Sequence, residues 1–173
     1  MRRPTDLLLL LSLILSLGSL HSRAEEVQPA NARSGGSREA GLAEPLLVHK
    51  GPFCFCCKKW IAHLNREGIE TEVDNATNMS EIKGQWAIPE GMHSCHTAVL
   101  DGKYVFEGHV PARFIRKYLG NPPEGSYGLT VPGMPKGSPG MYEGKDFKPY
   151  NIYLLMRGGD YRFYARVEKP ESQ

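Results

Sequence analysis

Leu46-Leu47-Val48-His49-Lys50-Gly51-Pro52-Phe53-Cys54-Phe55-Cys56-Cys57-Lys58-Lys59-Trp60-Ile61 is the stretch whose reading decides the fold. Its apolar start, Leu46 to Val48, suits a buried strand and is closed by the Gly51-Pro52 break. From Cys57 to Glu67 the apolar positions Cys57, Trp60, Ile61 and Leu64 recur at helical spacing, and Gly68 stands where a helix C-terminus commonly ends. A strand, a cysteine-bearing loop and a helix therefore follow one another within about twenty residues.

Downstream, Ile69 to Val73 reads as a second strand and Ser80 to Trp86 as a short helix. Thr97 to Leu100 and Lys103 to Phe106 read as a hairpin turned at Asp101-Gly102. Pro111 opens a helix that runs through Leu119, with Phe114, Ile115, Tyr118 and Leu119 on its apolar side. The resulting order, βαβαββα, predicts an α/β protein with a mixed sheet, of the thioredoxin-like type. Residues 120–149 are rich in Gly, Pro and turn formers and read as loop. Ile152 to Arg157 and Tyr161 to Val167 then form an additional C-terminal β-hairpin across Gly158-Gly159-Asp160, expected to extend the sheet or cover its edge. The domain is expected over residues 46–168, with 169–173 as a tail.

Upstream, Met1-Arg2-Arg3 is a basic start, and Leu7 to Leu20 is almost wholly apolar but short for a bilayer span, which takes about 20 residues. With Ser22 and Ala24 as small residues, residues 1–24 read as a signal peptide cleaved after Ala24. Residues 25–45 are rich in Gly, Ser, Ala, Pro and charge, which predicts a disordered linker. Cleavage removes Arg2, Arg3, Arg23 and Asp6, so a chain of 21 basic and 19 acidic residues becomes neutral. No basic cluster of the kind that grips phosphate backbones remains, which argues against nucleic acid as a partner, and no membrane span is expected after cleavage.

Cys54, Cys56 and Cys57 form C-x-C-C between the first strand and its helix, and Cys95 lies in His93-Ser94-Cys95-His96 just before the third strand. In this topology the end of the first strand and the start of the third are neighbours, so all four cysteines are expected to converge. The helix N-terminus favours thiolate over thiol. Three readings follow. Cys54 and Cys57 match the C-x-x-C of thiol-disulfide oxidoreductases, but Cys56 offers a competing partner. Export favours structural disulfides, yet adjacent Cys56 and Cys57 pair poorly, and only one of the three can reach Cys95. Several thiolates on one loop with a fourth from elsewhere make a soft nest for Cu(I) or zinc, and this suits the crowding best.

His96 adjoins Cys95 and joins the candidate ligands, although in a fully extended strand the two side chains would point to opposite faces. His63 lies six residues after Cys57, about 9 Å along a helix, and reads as a surface residue. His109 precedes a helix and reads as capping or orienting it, with a ligand role as the alternative. Met134 and Met141 lie in a Gly- and Pro-rich loop without a periodic apolar face. Met is ordinarily a core filler; a thioether near thiolates also completes a Cu(I) shell without favouring harder ions, which tilts the choice from zinc to copper.

Cys54-Phe55-Cys56-Cys57-Lys58-Lys59-Trp60, Ser94-Cys95-His96-Thr97-Ala98-Val99, Glu107-Gly108-His109-Val110-Pro111 and Pro132-Gly133-Met134-Pro135 through Gly140-Met141 together resemble the CopG-type periplasmic copper-resistance proteins, from about Leu47 to Val167. The resemblance implies a thioredoxin-like protein of the Gram-negative periplasm that binds copper through Cys54, Cys56, Cys57 and Cys95, with His96 a weaker carry-over. Copper ions and other periplasmic copper-handling proteins would be its partners. The Trp-Cys-Gly-Pro-Cys signature of thioredoxin itself is missing, and Met92 to His96 stands where its active-site proline would be expected. Both departures count against disulfide exchange as the main activity and leave enzyme status open.

Overall fold

The computed structural model describes residues 42–171. The predicted signal peptide, and the predicted linker up to residue 41, lie outside the described residues. Strand β1 is Leu46–Lys50, its even positions buried and the end of the run closed at Gly51, as the apolar pattern requires. Helix α1 (Phe55–Arg66) follows after four residues and turns Cys57, Trp60 and Leu64 inward. Cys54 is its N-cap, the sulfur accepting the Cys57 amide at 3.3 Å, and Gly68 takes φ +77° just beyond its C-terminus. Strand β2 (Thr71–Asn75) returns parallel to β1, completing a βαβ unit.

Helix α2 (Met79–Gln85), capped by the Asn78 side chain, leads through a short 3-10 turn, Glu90–Met92, into β3 (His96–Leu100). Strand β4 (Tyr104–Glu107) pairs antiparallel with β3, and the expected turn between them is confirmed by left-handed Asp101 (φ 51°) and Gly102 (φ 55°). Helix α3 (Ala112–Gly120) buries Phe114, Ile115 and Tyr118 and carries the chain to β5 (Ser126–Thr130), parallel to β4. Strands β6 (Tyr150–Met156) and β7 (Tyr161–Val167) add the C-terminal hairpin, giving a seven-stranded mixed sheet in the order β2-β1-β3-β4-β5-β6-β7. The expected βαβαββα order is thus realised over residues 46–120. The hairpin extends the sheet.

Strand β5 corrects the reading of residues 120–149 as loop. Gly128 interrupts the apolar run because it faces Val105 so closely that an added Cβ would overlap the Val105 carbonyl. The alternation Tyr127, Leu129, Val131 was the available strand signal. The tail is also held: the Glu171 carboxylate pairs with Arg113 at 2.9 Å.

Helices α1 and α3 cover one face, where Trp60, Leu64, Phe114, Ile115 and Tyr118 pack with Leu46, Val48, Ala98, Phe106 and Leu129. On the opposite face Ile88 and Met92, beyond α2, pack on Val105, Tyr127 and Leu155. Register then positions the chemistry. Lys50 at the end of β1 lies opposite His96 at the start of β3, so the loop leaving β1 and the turn entering β3 meet at one end of the sheet.

Candidate metal centre

All four cysteines converge there. Cys54 and Cys57 form a disulfide, and Cys56 and Cys95 are free. The Cys95 sulfur lies 3.5 Å from that of Cys57 and 3.9 Å from that of Cys56, which is itself 3.5 Å from Cys54. Taken one atom per residue, the four sulfurs fall within 4.8 Å of one another. Thiolates about 2.3 Å from a tetrahedral ion lie roughly 3.8 Å apart, so this spacing fits a shared soft ion once the disulfide is opened.

A second group shares Cys95. Its sulfur is 3.1 Å from His109 Nε2 and 3.4 Å from His96 Nδ1, and these three residues also fall within 4.8 Å. The geometric objection to pairing Cys95 with His96 is removed because Cys95 occupies a bend and the strand begins only at His96. His96 is fully buried against Trp60, ring centroids 4.2 Å apart, and its Nε2 is buried without a hydrogen-bond partner. The ring nitrogen beside the Cys95 sulfur is Nδ1, and a buried imidazole nitrogen next to a thiol fits a soft-ion donor set.

His109 is the residue that sequence reasoning undervalued. Its Nδ1 donates to the Pro139 carbonyl at 2.6 Å, which leaves Nε2 as the lone-pair nitrogen directed at Cys95. The helix-capping role expected of it belongs instead to His63, whose reading as a surface residue is corrected: it is 4% exposed, and its Nε2 accepts the Ala112 amide at 3.3 Å at the start of α3. The signal was the Trp60 to His63 spacing of three along one helical face.

Burial pushes both site histidines below their ordinary 6.5, His96 well below, with the neighbouring His109 adding to the effect on His96. Neutral imidazoles are the form that ligates metal. Burial also drives the Cys95 thiol up to about 12, reinforced by the adjacent Cys56. A thiol so raised is a poor free nucleophile at neutral pH, and a bound cation is what would draw off its proton.

The Gly- and Pro-rich loop folds over the cluster. Met134 Sδ reaches within 4.0 Å of Cys56 Sγ, while Met134 remains 52% exposed. Met141 is half-buried in a turn closed by its own amide on the Ser138 carbonyl, 3.0 Å. Gly140 (φ +85°) lets the loop press on α1: an added Cβ would fall 2.8 Å from the Cys56 carbonyl and the Trp60 nitrogen.

Comparison with known proteins agrees with this architecture. Residues 92–141 match the family described as "Protein of unknown function, DUF411", which spans the Cys95, His96, His109 and Met134 segments. No curated protein matches significantly. Two solved chains match over nearly their whole length. "Copper resistance protein copG- Form 2" is 40% identical, covering 72% of this chain and 99% of that one, with a TM-score of 0.66. "Copper resistance protein copG- Form 1" is 40% identical, covering 74% and 100%, also with a TM-score of 0.66. The fold and the cysteine cluster thus define a mixed α/β protein with a constellation of soft donors capable of holding a metal ion. The chain belongs to the CopG copper-resistance family.

Proposed function

We propose that the protein is an exported copper-binding protein, acting in the periplasm in copper tolerance, that sequesters or handles Cu(I) and Cu(II) through Cys54, Cys56, Cys57, Cys95 and His96. To this set we add His109. The convergence of four sulfurs and two buried imidazoles within two groups that share Cys95 carries the reading. Thiolate and thioether donors prefer Cu(I) to harder ions, and imidazole serves copper in either oxidation state. Kinship with copper-resistance proteins supports copper over zinc, and the basic, apolar start of the chain supports export. Copper ions and other copper-handling proteins of that compartment are the partners this role requires. No helix among the described residues is long and apolar enough to cross a membrane.

X-ray absorption at the copper edge tests this on protein reduced and loaded anaerobically. Sulfur scatterers near 2.3 Å, lost in a variant with the four cysteines replaced by serine, are expected. A shell of oxygen and nitrogen alone overturns it. One equivalent of zinc with no copper uptake on challenge would make the site structural.

The Cys54–Cys57 disulfide beside the free Cys95 favours a second reading, thiol-disulfide exchange. It predicts metal-free turnover of insulin disulfides dependent on both Cys54 and Cys57. The raised Cys95 thiol and the competing Cys56 weigh against it.

A further inference from the structure

We infer that the buried pair Lys83–Glu107 is a positioning device for the copper site, whose carboxylate holds the Ser94 amide and thereby sets both Cys95 and the Met134 loop. The inference rests on the copper reading above and concerns residues outside the ligand set.

Lys83 arrives from α2 and Glu107 from the end of β4, with side chains 6% and 0% exposed and Nζ 2.5 Å from Oε1. Removing two charges from water costs about as much as their attraction returns, so such a pair is weak evidence of a stabilising role. Its hydrogen bonds show where the charge is directed. Glu107 Oε1 also accepts the Ser94 backbone N–H at 2.5 Å, and Oε2 accepts the Thr97 hydroxyl at 2.6 Å. Thr97 Oγ1 in turn accepts from Lys83 Nζ at 3.1 Å. Thr97 is the direct cross-strand partner of Glu107, so the network bridges α2, β3, β4 and the turn before Cys95.

Ser94 is held by further contacts as well. Its hydroxyl donates to the Gly133 carbonyl, and the Gly133 amide donates to the His93 carbonyl at 2.9 Å. Gly108 (φ +72°) approaches so closely that an added Cβ would fall 2.5 Å from Ser94 Cβ and 2.6 Å from the Val131 carbonyl. Ser94 immediately precedes Cys95, and Gly133 immediately precedes Met134. One carboxylate therefore anchors the segment that carries a cysteine sulfur of the site and, through Ser94, the segment that carries its thioether. A charged acceptor holds a backbone N–H more firmly than a neutral one, and groups that orient metal ligands typically govern ten- to hundredfold in affinity.

The test compares the parent with Lys83→Met/Glu107→Leu, which exchanges the pair for apolar groups of similar length, a change that leaves stability near the parent's when a buried pair is structural only. Two quantities are measured on reduced full-length chain: amide hydrogen exchange at Ser94 without metal, and Cu(I) retention against bicinchoninate. The double variant is expected to fold, to exchange the Ser94 proton at least about tenfold faster, and to lose about ten- to hundredfold in Cu(I) affinity. Parent-like copper retention overturns the proposal, whether or not Ser94 exchange has changed. Should the double variant not fold, Glu107→Gln replaces it, with the same two changes expected at smaller size and parent-like values again overturning. If the parent itself binds no copper, the copper reading fails. Positioning is then judged on Ser94 exchange and the alkylation rate of Cys95, which must both rise in the variant.

Discussion

His109 presents Nε2 to the Cys95 sulfur at 3.1 Å because its other ring nitrogen is committed to the Pro139 carbonyl at 2.6 Å. That pairing fixes the tautomer and the ring plane before any ion arrives, the usual arrangement behind a metal-ligating histidine. It also links the bend after β4 that carries His109 to the loop that carries Met134.

Replacing His109 tests the link in two ways. His109→Ala should weaken Cu(I) retention about tenfold or more, and should separately destabilise the metal-free protein by about 1–3 kcal/mol because the Pro139 carbonyl loses its donor. Chelator competition measures the first and urea unfolding the second. Unchanged copper retention with lowered stability would reduce His109 to a loop fastener.

The metal-free protein should lose stability in mild acid. Burial lowers His63, His96 and His109 below their ordinary 6.5, so the folded chain resists protons that the unfolded chain accepts. Stability from these groups is therefore complete above about pH 6.5 and falls as pH drops below it, continuing until each folded value is reached. The slope is at most about 1.4 kcal/mol per pH unit for each histidine. Urea midpoints at pH 7.5 and 5.5 check this, and equal midpoints would mean the rings titrate freely when folded.

The cysteine convergence was legible in the sequence because it follows from the expected topology: with the end of the first strand set beside the start of the third, Cys54 and Cys95 come together, as the β1–β3 pairing bears out. What stayed hidden depends on contacts between distant segments. Gly128 is one more glycine of a Gly- and Pro-rich stretch until its close approach to Val105 is known, and His109 reads as a helix neighbour until Pro139, thirty residues on, claims its Nδ1. His63 reads as a surface residue because its partner is a backbone amide of another helix. Local periodicity carries none of these.

Gly140→Ala should unseat the loop. The position requires φ +85°, which costs an alanine about 1–2 kcal/mol, and the new methyl would crowd Cys56 and Trp60 on the first turns of α1. We expect a stability loss of at least about 1 kcal/mol and faster alkylation of reduced Cys56 as the loop lifts. A variant with parent-like alkylation would show that the loop does not shield the cluster.

The two methionines of that loop separate in their expected roles. Met134 places its sulfur 4.0 Å from Cys56 Sγ, whereas Met141 lies half-buried in the turn closed on Ser138. Leucine keeps the apolar volume of methionine and removes the sulfur, and such swaps usually cost less than about 1.5 kcal/mol. Met134 is more than half exposed, so its substitution should cost less still. A thioether favours Cu(I) and offers little to zinc. Met134→Leu should therefore leave folding and zinc affinity near those of the parent while weakening Cu(I) retention, and Met141→Leu should change Cu(I) retention much less. Competition with a Cu(I) chelator and a parallel zinc titration on both variants make the comparison. Equal Cu(I) retention in Met134→Leu and the parent would remove the thioether from the ligand set and leave copper selectivity to the cysteines, His96 and His109.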